Sequence, residues 1–203
     1  MYKILLIGSG GHARSCIDVI ESTDKYKIAG LVEKKHADVV ENINYPVLGY
    51  DEDLENLRKE YSYAFVTVGQ IKSAKIRMKL FKTLVDLNFK VPKIISPISY
   101  VSKSAIIQKG TIVMHGTIVN SGAKIGENCI INNKALIEHD AVIGNHCHIS
   151  TGTIINGGVK VGSESFVGSG SVTKQGISIG NNCVIGAGRL VGANVQSNQV
   201  IIN

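Results

Sequence analysis

The sequence predicts two domains: an α/β unit with a small parallel sheet over residues 1–95, and a parallel β-helix over residues 96–203. Three observations carry this reading. An aliphatic residue recurs at every sixth position from Val101 to Val191, with Thr173 the one lapse. Four places after each aliphatic the side chain is usually small, as at Ala105, Thr111, Ala123, Cys129 and Cys147. Ahead of this register, strand-like and helix-like stretches alternate, joined by glycine turns.

In chain order, Lys3 to Ile7 reads as a strand, Gly8-Ser9-Gly10-Gly11 as a tight turn, and His12 to Ser22 as a helix. Lys27 to Glu33 is a second strand. Tyr45 to Leu48 is a short strand, and a helix follows near Asp51 to Lys59. Tyr63 to Val68 is a strand ending at Gly69, Ser73 to Asn88 an amphipathic helix, and Lys93 to Ile95 a last strand. Such alternation argues for a parallel sheet. Ser96 to Ser102, with Pro97, is the expected joint.

The first turn fits the dinucleotide fingerprint G-x-G-x-x-G/A as Gly8, Gly10 and Ala13, with Glu33 at the end of the second strand. Glycines there let backbone N–H groups approach a phosphate at a helix N-terminus. The unit is therefore Rossmann-like. It is too short before residue 95 for a full NAD domain, which makes hydride chemistry the weaker reading.

A period of six fits neither the 3.6 of a helix nor the 2 of a strand. It suits short strands joined by tight corners, one large residue pointing inward from each side of a coil. Three units make a turn of about eighteen residues, giving roughly five coils. Coils pair at the usual ~4.8 Å strand spacing, so residues eighteen apart stack, as in the ladder Cys129, Cys147, Ser165, Cys183. The resulting column of Ile and Val builds a core without Trp, and stiff β-branched side chains suit it.

Composition bounds the function. The net charge is +6, with no dense Lys/Arg run. That disfavours a nucleic-acid footprint and suits anionic small molecules such as nucleotide phosphates or coenzyme A. Met1 leads directly into a strand rather than a cleavable apolar segment, and nothing reaches a membrane span, so a cytoplasmic location is expected. The four cysteines form no C-x-x-C, and three occupy the small-residue slot of the repeat. They read as reduced packing residues, with no metal site expected.

The repeat, the Gly8-Ser9-Gly10-Gly11-His12 turn with Gly69, and the stretch Ala135 to Ser150 together resemble the hexapeptide-repeat sugar acetyltransferases, which include the bacillosamine-pathway N-acetyltransferase and sialic acid O-acetyltransferases. The resemblance implies a left-handed parallel β-helix, the opposite of generic crossover chirality. It implies acetyl-CoA as co-substrate, a nucleotide-linked 4-amino-deoxy sugar as acceptor, bacterial surface glycan synthesis, and a homotrimer. By motif, Gly10, Gly11 and His12 would lie near the phosphates or sugar, and Glu33 near the base or ribose. Gly69 and Arg77 are further substrate candidates. His139, Asp140 and His148 would form the catalytic group. His148 and the backbone amides of Gly157, Gly168 and Gly186 would line the coenzyme A arm, with Lys174 and Arg189 on its phosphates. The G-x-P-A-[KR] segment of such enzymes has no match in the residues from Gln199 onward.

The chemistry supports this independently. A nucleophile attacking a thioester loses a proton, and an imidazole, with an ordinary pKa of ~6.5, can take it near neutral pH. A carboxylate on the other ring nitrogen fixes the tautomer and stabilises the imidazolium. Asp140 is the first choice for that carboxylate and Glu138 the second. The oxyanion needs a donor, either His148 or a backbone N–H near Gly157. His139 and His148 lie half a coil apart and should leave opposite sides of the prism. They would meet only across an interface between neighbouring subunits, which favours a trimer. Two other readings remain open: O-acetylation of a sugar of the sialic acid type, and a non-enzymatic nucleotide- or NAD-binding protein.

Overall fold

The computed structural model describes residues 1–35 and 43–202. The N-terminal domain holds β1 (Tyr2–Ile7), α1 (Gly11–Ser22), β2 (Tyr26–Glu33), β3 (Val47–Tyr50), α2 (Leu54–Glu60), β4 (Tyr63–Val66) and α3 (Lys75–Asp86). Its sheet runs β3-β2-β1-β4, all parallel. The apolar runs Ile4 to Ile7 and Ala64 to Val66 are buried, as a sheet covered on both faces requires.

From β5 (Ile94–Ile95) onward the chain is a three-faced coil of two-residue strands. Every pairing up to Thr173↔Val191 joins residues eighteen apart, for example Lys124↔Val142 and Ile137↔Ile155. The last coil shortens to sixteen, with Val184↔Val200. The repeat's aliphatics fill the interior, where Val119, Ile137, Ile155 and Val167 are wholly buried beside Cys129, Cys147 and Cys183. The thiols are free, as expected.

The corners follow a rule that the aliphatic pattern does not reveal. Every sixth residue from Gly110 to Gly188 has a positive φ. Glycine or asparagine fills most of these positions, because a Cβ is costly there. Lys134, Asp140, His146 and Glu164 are the exceptions, and Asp140 belongs to the candidate site.

Two expectations shift. The strand near Lys93 to Ile95 is not part of the N-terminal sheet: β5 pairs with Ile112–Val113 and opens one face of the coil. The coil thus begins before the expected joint. The short strand expected at Tyr45 to Leu48 lies at Val47–Tyr50. The α/β core continues onto this same coil face, where Ile94, Ile112, Met114 and Ile130 pack into one cluster with Phe65, Phe81 and Leu84. The domains are further joined by His115, which bonds Ser96 Oγ at 2.7 Å and Asp18 Oδ2 at 2.9 Å.

Candidate active site

His139 and Asp140 occupy a corner between two faces of the coil. The side chains are exposed, and His139 Nδ1 lies 3.0 Å from Asp140 Oδ2. A carboxylate only accepts, so Nδ1 carries the proton and Nε2 presents a lone pair. Glu138 does not compete for the ring, since its Oε2 accepts the backbone N–H of His139 at 3.2 Å. Asp140 itself stands in the αL conformation at this corner, φ +57°.

Two glycines make room for this pair. A methyl added at Gly157 would lie 2.5 Å from His139 Nε2, and one added at Gly122 would collide with Asp140 Oδ1. Both are one coil away from their partners: Gly157 stacks eighteen residues after His139, and Gly122 eighteen before Asp140. The N–H of Gly157 has no hydrogen-bond partner among the described residues, although its carbonyl accepts from Gly176. A base with a free lone pair therefore stands beside a free backbone donor. Proton abstraction next to oxyanion stabilisation requires those two groups. The exposed Lys174 lies at the same corner two coils further on, about 10 Å up the stack.

His148 corrects the sequence reading. It lies on another coil face, nearly buried against the N-terminal domain. Its Nδ1 donates to Gln70 O at 2.6 Å. Its Nε2 is 3.2 Å from Asn132 Nδ2, and the amide of Asn132 is oriented by its Oδ1 accepting Asn133 N–H at 2.8 Å. Nε2 therefore accepts, and has no proton for an oxyanion. Burial holds the ring neutral, its pKa pushed down to about 4 against the Gln70 bond that raises it. His148 bridges the two domains, and of the two donors expected for an oxyanion only the Gly157 N–H is without a partner among the described residues.

Two further expectations are revised. Arg77 was a substrate candidate but is wholly buried. It donates to Val66 O at 2.8 Å, Val68 O at 2.9 Å, Asn128 O at 3.2 Å and Gly110 O at 3.4 Å. It therefore ties the end of β4 to two corners of the coil. The amides of Gly168 and Gly186 are spent on the next coil, donating to Ile185 O and Ile201 O. Neither is free for a coenzyme A arm, and a methyl at Gly168 would lie 2.5 Å from the Gly186 carbonyl carbon. Arg189 donates through Nη2 to Ile202 O at 3.1 Å and is otherwise neither brought to the His139 corner nor excluded from an anion.

The N-terminal candidates gather around the start of α1. Methyls at Gly10 and Gly11 would meet nothing within 4 Å, and Gly10 offers no side-chain cap, so the helix N-terminus is open. That is the arrangement an anion needs. Gly8, at φ +101°, shapes the turn before it. Gly69 allows His12 to pack against it, a methyl there lying 3.3 Å from His12 Cβ. The His12 ring sits 6.4 Å from that of His148, with Nε2 buried and unpartnered. Burial pushes its pKa down to about 3, helped by Arg77 and then His148. Glu33 lines a cleft of about 240 Å³ at the C-terminal ends of the strands, with Gly8, Lys34, Asp51, Val68 and Lys79. The sequence reading missed Lys34, Asp51 and Lys79. Asp51 is brought in only by the pairing of β3 with β2, and no local motif announces it.

Comparison with known proteins bears on this architecture. The PglD N-terminal domain matches residues 3–84, and the hexapeptide repeat of succinyl-transferase matches residues 158–195. A histidine-to-asparagine variant of perosamine N-acetyltransferase from Caulobacter crescentus, in complex with CoA and GDP-perosamine, superposes with a TM-score of 0.92. The two are 30% identical, over 100% of this chain and 94% of that one. PerB from the same organism, in complex with the same two molecules, gives 0.91 at 30% identity, over 98% and 93%. The acetyltransferase domain of PglB from Neisseria gonorrhoeae, in complex with acetyl coenzyme A, gives 0.88 at 28% identity, over 98% and 94%. The coil is accordingly a left-handed parallel β-helix.

Proposed function

The chain belongs to the hexapeptide-repeat sugar acetyltransferases, and from that premise we propose that it moves acetyl from acetyl-CoA to the amino group of a nucleotide-linked 4-amino-deoxy sugar in bacterial surface glycan synthesis, with His139 as general base. The observation that carries the proposal is the His139 ring, held by Asp140 through Nδ1, with its Nε2 beside Gly157, whose N–H has no hydrogen-bond partner among the described residues.

The chemistry follows from those groups. The sugar amine attacks the thioester carbonyl, and Nε2 takes the proton it loses. Asp140 stabilises the imidazolium that forms. The Gly157 N–H receives the developing oxyanion. When the tetrahedral intermediate collapses, the carbon–sulfur bond breaks and the imidazolium returns its proton to the departing thiolate. The open start of α1 suits the diphosphate of the acceptor, and Lys174 at the same corner suits an anionic part of coenzyme A. The two matched complexes from Caulobacter crescentus hold CoA together with GDP-perosamine, a combination that supports the same pairing of ligands here.

The working state we propose is a homotrimer in the cytoplasm. One outer face of the coil carries an apolar side chain in every strand: Tyr100, Ile118, Leu136, Ile154, Val172 and Leu190. Tyr100 and Leu190 are 60% and 79% exposed. Such an unbroken stripe is costly in water, and it ends at the corner that bears His139. No helix among the described residues is long and apolar enough to cross a membrane.

Thiol release from acetyl-CoA, followed over UDP-, dTDP- and GDP-linked 4-amino sugars with sialic acid as comparison, tests the reading. Release with a nucleotide amino sugar is expected. Release with sialic acid alone would overturn it.

A further inference from the structure

The cleft at the C-terminal edge of the N-terminal sheet carries information about the acceptor that the family does not fix. Its walls are apolar, formed by Val32, Val68, Ile76 and Leu80, and its polar groups are the carboxylates of Glu33 and Asp51 and the ammonium groups of Lys34 and Lys79. Glu33 is 8% exposed, and its Oε1 is buried with no hydrogen-bond partner among the described residues. A buried acceptor without a donor is costly unless a ligand supplies one. The volume of about 240 Å³ would hold roughly eight waters at ~30 Å³ each, the scale of one planar base.

We propose that the nucleotide of the acceptor is a guanosine diphosphate, its guanine read by the carboxylate of Glu33. This rests on the acetyl-transfer reading above and adds the identity of the base. Guanine presents two adjacent N–H donors, at N1 and N2, and a carboxylate can accept both at once through its two oxygens. Its O6, next to N1, is an acceptor suited to a lysine at the rim. Uracil and thymine present a single N–H flanked by two carbonyl oxygens, which would face the carboxylates. Adenine and cytosine each set a ring-nitrogen acceptor beside their amino group. Among the bases, guanine alone offers a second donor where a carboxylate has a second oxygen. Asp51 adds to the preference. Its pKa is raised by burial, then by Glu52 and Glu33, against Lys79 and Lys34, and with two carboxylates lining the cleft a base that brings further acceptors toward them is penalised. A carboxylate at the end of a second strand can instead hold ribose hydroxyls. That arrangement is blind to the base, and the two predict different results.

The test uses calorimetry on the full chain with GDP, inosine diphosphate, UDP, dTDP and xanthosine diphosphate. GDP is expected to bind at least about tenfold more tightly than UDP or dTDP. Inosine diphosphate, which lacks only the N2 donor, should bind about tenfold more weakly than GDP, in line with the loss of one charge-assisted hydrogen bond. In Glu33→Gln that gap should close. Xanthosine diphosphate should gain about tenfold, because the amide can donate to its O2 while still accepting from N1. A gain of binding cannot come from misfolding. UDP or dTDP binding as tightly as GDP, or an equal loss of every nucleotide in Glu33→Gln, overturns the inference. Thiol release with UDP- or dTDP-linked amino sugars but not GDP-linked ones would likewise sink it while leaving acetyl transfer intact; no release with any nucleotide amino sugar would sink the transfer reading itself.

Discussion

Acid should loosen the joint between the two domains, and the size of the effect can be worked out from two histidines. His12 and His148 are buried side by side, with pKa values pushed down to about 3 and about 4. In the unfolded chain each returns to the ordinary value of ~6.5. Between those limits the unfolded state binds protons that the folded state refuses, so stability falls as the pH drops below about 6.5. The loss continues until the folded rings themselves take up protons. At pH 5 the unfolded chain has gained about 1.5 units of advantage per ring, which at 1.36 kcal/mol per unit is about 2 kcal/mol for each and about 4 kcal/mol for the pair. The assay is urea unfolding at pH 7.5 and pH 5, at one fixed protein concentration, for the parent chain and for His148→Asn. The asparagine keeps a donor for Gln70 O and an acceptor for Asn132 but does not titrate. The pH dependence of the variant should be smaller than the parent's by about 2 kcal/mol, the share of one ring, and the subtraction cancels the titrating groups common to both. Equal pH dependence in the two proteins would show that His148 is not held neutral at the joint, and the reasoning would fail.

Three other outcomes follow from the geometry. Gly157→Ala should displace the His139 ring, because the new methyl would stand 2.5 Å from Nε2. The ring end can swing into solvent at little cost, so melting temperature should hardly change while kcat falls by about 10²-fold or more, and a parallel loss of stability would contradict this. Arg77→Met leaves the carbonyls of Val66, Val68, Asn128 and Gly110 without their donor, costing on the order of 3 kcal/mol in denaturant unfolding; a loss under about 1 kcal/mol would mean that those contacts are dispensable. If the proposed trimer forms through the apolar stripe, Leu136→Glu in its middle should give monomers in sedimentation where the parent chain gives trimers, while the coil stays folded by circular dichroism; the same sedimentation for both proteins would contradict that interface.

The coil was legible in the sequence because each unit solves the same packing problem. One aliphatic per six residues must point inward, and nothing else in the chain competes with that constraint. The geometry around the proposed base was legible for a related reason: His139 and Asp140 are adjacent, and the period tells which residue stacks above them. It points to Gly157 directly, and Gly122 could have been found the same way, eighteen residues before Asp140. What stayed hidden lies where one domain meets the other. His148 reads as a second catalytic imidazole until Gln70, far away in the chain, is seen to take its proton. Arg77 reads as a cation for a phosphate until the carbonyls of two coil corners close around it. β5 reads as the last strand of the first sheet, since two isoleucines cannot tell which sheet will bury them. Gly168 and Gly186 look like free backbone donors because sequence does not show that the next coil has already used their amides.

The account turns on one imidazole. Steady-state thiol release from acetyl-CoA, measured for the parent chain and for His139→Ala with the oligomeric state of each compared by sedimentation, tests it most directly. The account predicts that kcat falls by about 10²-fold or more with the assembly intact; turnover unchanged in that variant would contradict it.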